Sequence, residues 1–358
     1  MSSNAARAID PVALSGAAPS AAPRPGFEAG LQVFSTCPSS LVTPDDYRHR
    51  VIRVARWSEQ AGCTGILIYT DNSLVDPWLV AQTVIESSDS LCPLVAVQPV
   101  YMHPYAAAKM VATLAFLHGR RTYLNMVAGG FKNDLTALND PTPHDSRYER
   151  LIEYTIIIRR LLEEKSVTFE GRFYRVNALS LNPRVPPELF PGILVSGSSD
   201  AGMAAAREMG AVAVKYPEPP SDCKSLDESI PCGVRIGVIA RATAEEAWQA
   251  AYARFPEDRK GQLTRQLATK VSDSSWHKRL AELGTAANGE PDTYWLHPFE
   301  NYQTNCPYLV GSYQSVAAEL RRYMSAGYLT YILDIPSAEE EFEHIAAAFG
   351  LARRGVAA

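Results

Sequence analysis

Several motifs that commonly announce a chemistry are missing from this sequence. No CxxC pair occurs. The six cysteines, Cys37, Cys63, Cys92, Cys223, Cys232 and Cys306, are scattered. In a chain long enough to build its own core, that pattern fits reduced thiols better than a disulfide framework. The seven histidines are dispersed, with no HxxxH pair and no neighbouring carboxylate cluster, so no metal site is expected. No GxSxG elbow, Walker loop or GxGxxG follows a candidate strand. No apolar run reaches the roughly 18 residues of a membrane helix. Positive charge is not in excess: 34 Lys and Arg against 39 Asp and Glu leave −5, which gives nucleic acid no broad attraction. Residues 1–28, "MSSNAARAIDPVALSGAAPSAAPRPGFE", lack an apolar core behind basic residues, so they do not read as a signal peptide. We expect a disordered leader there and a cytoplasmic protein.

What is present is a rhythm. Eight short β-type runs alternate with helical patterns: "LQVF" (31–34), "GILIY" (65–69), "PLVAV" (93–97), "TYLNMV" (122–127), "GILVS" (192–196), "AVAVK" (211–215), "VRIGVIA" (234–240) and "LTYILD" (329–334). Most are near-continuously apolar, as strands buried on both faces should be. Pro44 opens a helix and Gly62 closes it. Capping boxes are expected at Ser146–Glu149 and Thr243–Glu246. Ser312 begins a late helix and Gly327 ends it. Eight alternations argue for a single α/β domain, a (β/α)8 TIM barrel over residues 29–352. Two stretches break the rhythm. Residues 164–191 suggest a small hairpin excursion. Residues 255–306 suggest a lid-like insertion, ending in "YWLHPFENYQTNCPY".

Barrel active sites lie at the carboxyl ends of the strands. After strand two come Thr70, Asp71 and Asn72; after strand three, Gln98 to His103; near the end of strand four, Asn125 and "VAGG" (127–130), which includes Ala128. Strand five runs into Gly197-Ser198-Ser199. A helix N-terminus after a glycine and two hydroxyls suits an anion. A plain helix cap is the simpler local reading, and Asp200 in the first turn favours it. His144 and Tyr148, four apart on the preceding segment, could reach the same anion. In strand seven, Arg235 and Gly237 share one face.

Together these segments resemble the bacterial-luciferase-like flavin monooxygenases, nearest to the two-component alkanesulfonate monooxygenases. The resemblance runs from about residue 45 to 345 through "AGCTGILIYTDNSLVDPWLVAQ", "YLNMVAGG", "HDSRYERLIEYTIIIRRLLEEKSVTFEGRFYRV", "ILVSGSSDAGMAAARE" and "YLVGSYQSVAAELRRYMSAGYLTYIL". It implies that Gly197, Ser198, Ser199, His144 and Tyr148 grip the phosphate of FMN, with Asn125, Thr70 and Ala128 near the rest of the flavin. It implies chemistry done by reduced FMN (FMNH2) with O2 through a flavin C4a-(hydro)peroxide. The reduced flavin would come from a separate NAD(P)H:flavin reductase. A homodimer or homotetramer is implied as well.

The sequence departs from that pattern around the substrate. Where sulfonate-cleaving relatives have Cys after strand two, this chain has Leu74; their Arg-x-His in strand seven is here Arg235-Ile236-Gly237. Their lid Arg is missing from Tyr302-Gln303-Thr304-Asn305, and their Tyr after strand eight is missing around Ile335. Simple alkanesulfonates are therefore not expected. A small organic substrate of another kind is, such as a specialised metabolite, an amine or a carrier-bound intermediate. Arg235, Asn72, His103 and Tyr302 are the candidate substrate-side residues, with Arg235 binding a substrate carboxylate, stabilising the flavin peroxide, or paired to an acid such as Asp334. Two alternatives stay open: an F420-dependent hydride-transfer enzyme on the same barrel, and a flavin-binding protein without turnover.

Overall fold

The structure, a computed structural model, describes residue 27 and residues 30–41, 44–129, 131–197, 199–220, 230–271, 280 and 293–354. The proposed leader lies almost entirely outside them, as do Ser198, Cys223 and parts of the proposed lid.

The strands are β1 (Gln32–Thr36), β2 (Gly65–Ile68), β3 (Cys92–Val97), β4 (Tyr123–Met126), β5 (Val167–Glu170), β6 (Arg175–Leu179), β7 (Ile193–Ser196), β8 (Val212–Lys215), β9 (Cys232–Arg241), β10 (Tyr294–Trp295), β11 (Tyr308–Ser312) and β12 (Tyr328–Leu333). The helices that matter below are α1 (Tyr47–Gln60), α2 (Pro77–Glu86), α3 (Pro104–His118), α4 (Lys132–Ala137), α5 (His144–Glu163), α6 (Asp200–Met209), α7 (Ala244–Arg254) and α8 (Arg259–Val271).

Strands β1, β2, β3, β4, β7, β8, β9 and β12 pair in that order, all parallel, and β12 pairs back to β1, so the eight form a closed barrel. These are the eight runs read from the sequence. Between α5 and β7, β5 and β6 form an antiparallel hairpin. Its turn is held to α5 by Glu153, whose carboxylate accepts from the backbone of Arg172, Phe173 and Tyr174 at 2.8–3.1 Å.

Two strands were not expected, the two-residue β10 and its antiparallel neighbour β11. The upper half of β9 leaves the ring, and Gly237 to Arg241 pair in parallel with β11. The sequence of β11, YLVGS, is short and ends in Gly and Ser, so its strand character comes from the partner rather than from its own residues. Two capping expectations also resolve. Thr243 and Glu246 do form a reciprocal capping box. Ser146 does not: α5 already begins at His144, behind Pro143, so Ser146 lies inside the helix. The extra turn puts His144 and Tyr148 on one helix face at i, i+4.

The inside of the barrel has two levels. Below, Phe34, Leu67, Leu94, Tyr123, Leu194, Val214 and Ile332 form one apolar cluster. These side chains come from seven strands, so they can meet only in the interior. Two residues further along each strand, on the same face, stand Thr36, Tyr69, Ala96, Asn125, Ser196, Tyr216 and Asp334. The barrel is thus plugged at its amino end and lined by polar groups at its carboxyl end. A second apolar shell packs the outside of the ring against the helices.

Candidate active site

The turn from β7 into α6 meets the start of α5 on the carboxyl side of the barrel. Ser199 is the N-cap of α6, and its hydroxyl accepts from the backbone N–H of Gly202 at 3.1 Å. The Tyr148 hydroxyl is hydrogen-bonded to Ser199. It also stands against Gly197, where a Cβ would lie 2.6 Å from it. The His144 ring lies edge-on to Tyr148 at 5.3 Å between centroids, and its Nδ1 is 2.8 Å from Asp145 Oδ1. Burial pushes the Tyr148 phenol above its usual range, so it is a neutral O–H donor at physiological pH. Four residues picked from separate sequence segments therefore converge: His144, Tyr148, Gly197 and Ser199. The cap reading and the anion reading of this turn are compatible, because Ser199 satisfies only one of the N–H groups at the start of α6.

This set fits a phosphomonoester. A ten-residue helix presents its N-terminus, Tyr148 and His144 add side-chain donors, and Gly197 admits the Tyr148 hydroxyl into the space a Cβ would fill. Asp200 is exposed and does not close the turn.

Along the rim, Asn125 is buried on β4 and its Oδ1 accepts from the Ser196 hydroxyl on β7 at 2.9 Å. Ala128 is buried in the apolar shell outside the ring. Between the loops after β2 and β3 opens a cavity of about 400 Å³, lined by Thr70, Asn72, Gln98 and Tyr101 with Trp78 and Leu138 among its apolar walls. Asn72 ties three segments together there. Its backbone N–H donates to Asp134 Oδ2 (3.2 Å), its amide donates to the Asp134 carbonyl (3.2 Å), and its Oδ1 accepts from Tyr101 (2.8 Å). Its side chain is engaged in shaping the cavity wall.

On the opposite side of the mouth stands Arg235. Its Nη1 is 3.5 Å from the Tyr216 hydroxyl, and its guanidinium lies 5.9 Å from the centroid of the Tyr69 ring. Burial disfavours its charge, but neighbouring polar groups, Tyr216 first and the Asp334 carboxylate among them, outweigh that, and it stays a cation. Asp334 accepts at 2.6 Å from the hydroxyl of Tyr308, a fully buried residue of β11. The alternative of a direct pair between Arg235 and Asp334 is not formed: among the described residues no carboxylate lies within ion-pair distance of Arg235.

Two of the substrate-side candidates have placements of their own. His103 is the N-cap of α3: Nδ1 accepts from the Tyr105 N–H at 3.1 Å and the ring packs edge-on against Tyr174 of the hairpin. A histidine before Pro104 has the extended backbone that a cap requires. Tyr302 is 45% exposed and sits at φ 56°, after the short helix His297–Glu300. The buried aromatic residues here are Trp295 and Phe299 of the insertion and Tyr308 just after it. Tyr308 was missed altogether. The one local sign was Gly237, a glycine inside an otherwise apolar strand, which marks a close approach by something else.

A profile of luciferase-like monooxygenases matches residues 30–330. The chain belongs to the luciferase-like monooxygenase family. Among curated relatives it is 34% identical over 307 residues to the 4-(gamma-L-glutamylamino)butanoyl-[BtrI acyl-carrier protein] monooxygenase BtrO of Niallia circulans, covering 84% of this chain and 90% of that protein. Among solved structures it is similar to riboflavin lyase RcaE with modified FMN and riboflavin (TM-score 0.71, 17% identity, 92% of each chain). It is also similar to an F420-dependent secondary alcohol dehydrogenase with an F420-acetone adduct (TM-score 0.61, 15% identity, 90% of this chain and 99% of that one). At such identities the two structures speak for the barrel alone. Family membership makes the chain a flavin-dependent monooxygenase. Among the described residues, no helix is long and apolar enough to cross a membrane and no cluster could hold a metal ion.

Proposed function

We propose that this enzyme is a two-component monooxygenase that takes up FMNH2 made by a separate NAD(P)H:flavin reductase. One atom of O2 enters an acyl substrate carried on a protein or on a related metabolite: substrate C–H, O2 and FMNH2 give C–OH, FMN and water. The observation that carries the cofactor choice is the meeting of Tyr148, Ser199 and Gly197 at the start of α6. BtrO, named for a carrier-protein-bound acyl substrate, supports the substrate class. So does the loss of the sulfonate-side residues at Leu74 and Gly237.

In this reading the bound reduced flavin supplies the two electrons that activate O2. The chain supplies the rest. His144, Tyr148, Gly197, Ser199 and the neighbouring Ser198 hold the phosphate. Asn125 and Thr70 orient the remainder of the cofactor at the rim. The apolar plug below excludes water from the barrel. The active unit is a homodimer or homotetramer. Anaerobic titration with FMNH2, and in parallel with reduced F420, tests the cofactor. Tight binding of FMNH2 and none of reduced F420 is expected; the reverse would reject the proposal.

A further inference from the structure

Tyr308 reaches Asp334 by crossing a strand. In the sheet, β11 and β12 lie on either side of β9, and Tyr308 is the register partner of Gly237 on that middle strand. A Cβ at Gly237 would lie 2.2–2.3 Å from three carbons of the Tyr308 ring. No side chain at 237 is compatible with this placement. Glycine lets the phenol pass over β9 and donate to Asp334 Oδ2 at 2.6 Å.

Two residues earlier on the same face of β9 stands Arg235. Its Nε is buried and has no hydrogen-bond partner among the described residues. Its one hydrogen bond there is the 3.5 Å contact with Tyr216. An under-occupied buried guanidinium donor is costly, and a nearby carboxylate would ordinarily claim it. Asp334 is that carboxylate, near enough to act on Arg235 electrostatically, yet outside ion-pair distance and engaged by Tyr308.

We propose that Arg235 anchors an anionic oxygen of the substrate, a carboxylate, at the barrel mouth. Tyr308 is the positioning residue that keeps Arg235 available by holding Asp334 off it. The inference rests on the reading that the substrate enters this mouth, and it concerns the substrate side alone. The recognised class is an acyl compound bearing a free carboxylate at the end that enters the barrel. Planar bidentate capture of a carboxylate is what a guanidinium does best. Tyr69 and Tyr216 flank the cation with aromatic faces and hydroxyls that suit such a ligand.

The test uses the full-length chain and glutarate, labelled with ¹³C in its carboxylates, as the probe, with affinity read by NMR titration. The wild type binds glutarate. Tyr308→Phe weakens binding on the order of tenfold, because Asp334 is released to pair with Arg235. The double variant Tyr308→Phe/Asp334→Asn restores it, since an amide does not neutralise the guanidinium. No binding by the wild type overturns the anchor. An unchanged affinity in Tyr308→Phe, or a double variant as weak as the single, overturns the positioning role. Thermal midpoints and near-ultraviolet circular dichroism verify that each variant is folded. FMNH2 affinity, measured on the same samples, depends on the α5–α6 cradle, which shares none of these residues. Its loss alone would count against the cofactor proposal and leave this inference standing.

Discussion

The Tyr148 hydroxyl fills the space beside the Gly197 α-carbon, 2.6 Å from where a Cβ would be. One residue is on α5 and the other directly follows β7, so the contact joins two elements far apart in sequence into one anion-sized turn. Gly197→Ala should displace the phenol. The clash is with the far end of a side chain, so the fold should survive with less than about 1 kcal/mol lost. FMNH2 affinity should fall about tenfold or more, as expected when a charge-assisted hydrogen bond is lost. Equilibrium titration beside denaturant unfolding separates the two effects.

Ser199 has two tasks, and two substitutions divide them. Ser199→Ala removes the cap and should cost about 1 kcal/mol of stability, whereas Ser199→Gly should cost a few tenths. Both remove the Tyr148 partner, so both should weaken FMNH2 binding alike. If binding instead tracked stability across the pair, the cap would be the residue's whole role.

Gly237→His would restore the Arg-x-His pattern of the sulfonate-cleaving relatives in sequence, but not in structure. The imidazole would meet the Tyr308 ring, and overpacking of this kind costs about 1–3 kcal/mol. Pairing it with Tyr308→Ala should recover most of that loss. Urea midpoints of the single and double variants check the coupling.

Acid stability should depend on Asp140. Burial raises its pKa, but Arg150, 2.7 Å away, and Thr142 outweigh burial, so the carboxyl titrates below its usual range. A folded-state pKa below the unfolded one gives stability that is fully present above about pH 4, the unfolded value. It is lost as pH falls through the folded value. Asp140→Asn should therefore be less stable at neutral pH and lose less on acidification, leaving Arg150 without its carboxylate. Unfolding curves between pH 7 and pH 3 would show the two lines converging.

The barrel was legible because its signal is local. Runs such as ILVS at 193–196 and GILI at 65–68 are largely apolar on both faces, and Gly62 through its backbone, Thr243 and Ser312 through their hydroxyls, mark helix ends. The proposed phosphate cradle needed more. Ser199 alone reads as a cap, and the resemblance to a family joined it to His144 and Tyr148 before the geometry did. The substrate side was the least legible part. His103 looked like a pocket residue because it follows a barrel strand, yet it caps α3. Tyr308 looked like part of a lid, yet it extends the sheet and reaches Asp334 across Gly237. These roles are set by which strands become neighbours, and local patterning carries no record of that.

The most direct measurement is the anaerobic titration of the wild type and of Gly197→Ala with FMNH2, followed by admission of oxygen. We predict saturable FMNH2 binding by the wild type, weakened about tenfold in the variant, with oxygen uptake that follows the fraction of enzyme loaded. Absence of FMNH2 binding, or equal affinity in the two proteins, would contradict the cradle at Tyr148, Gly197 and Ser199.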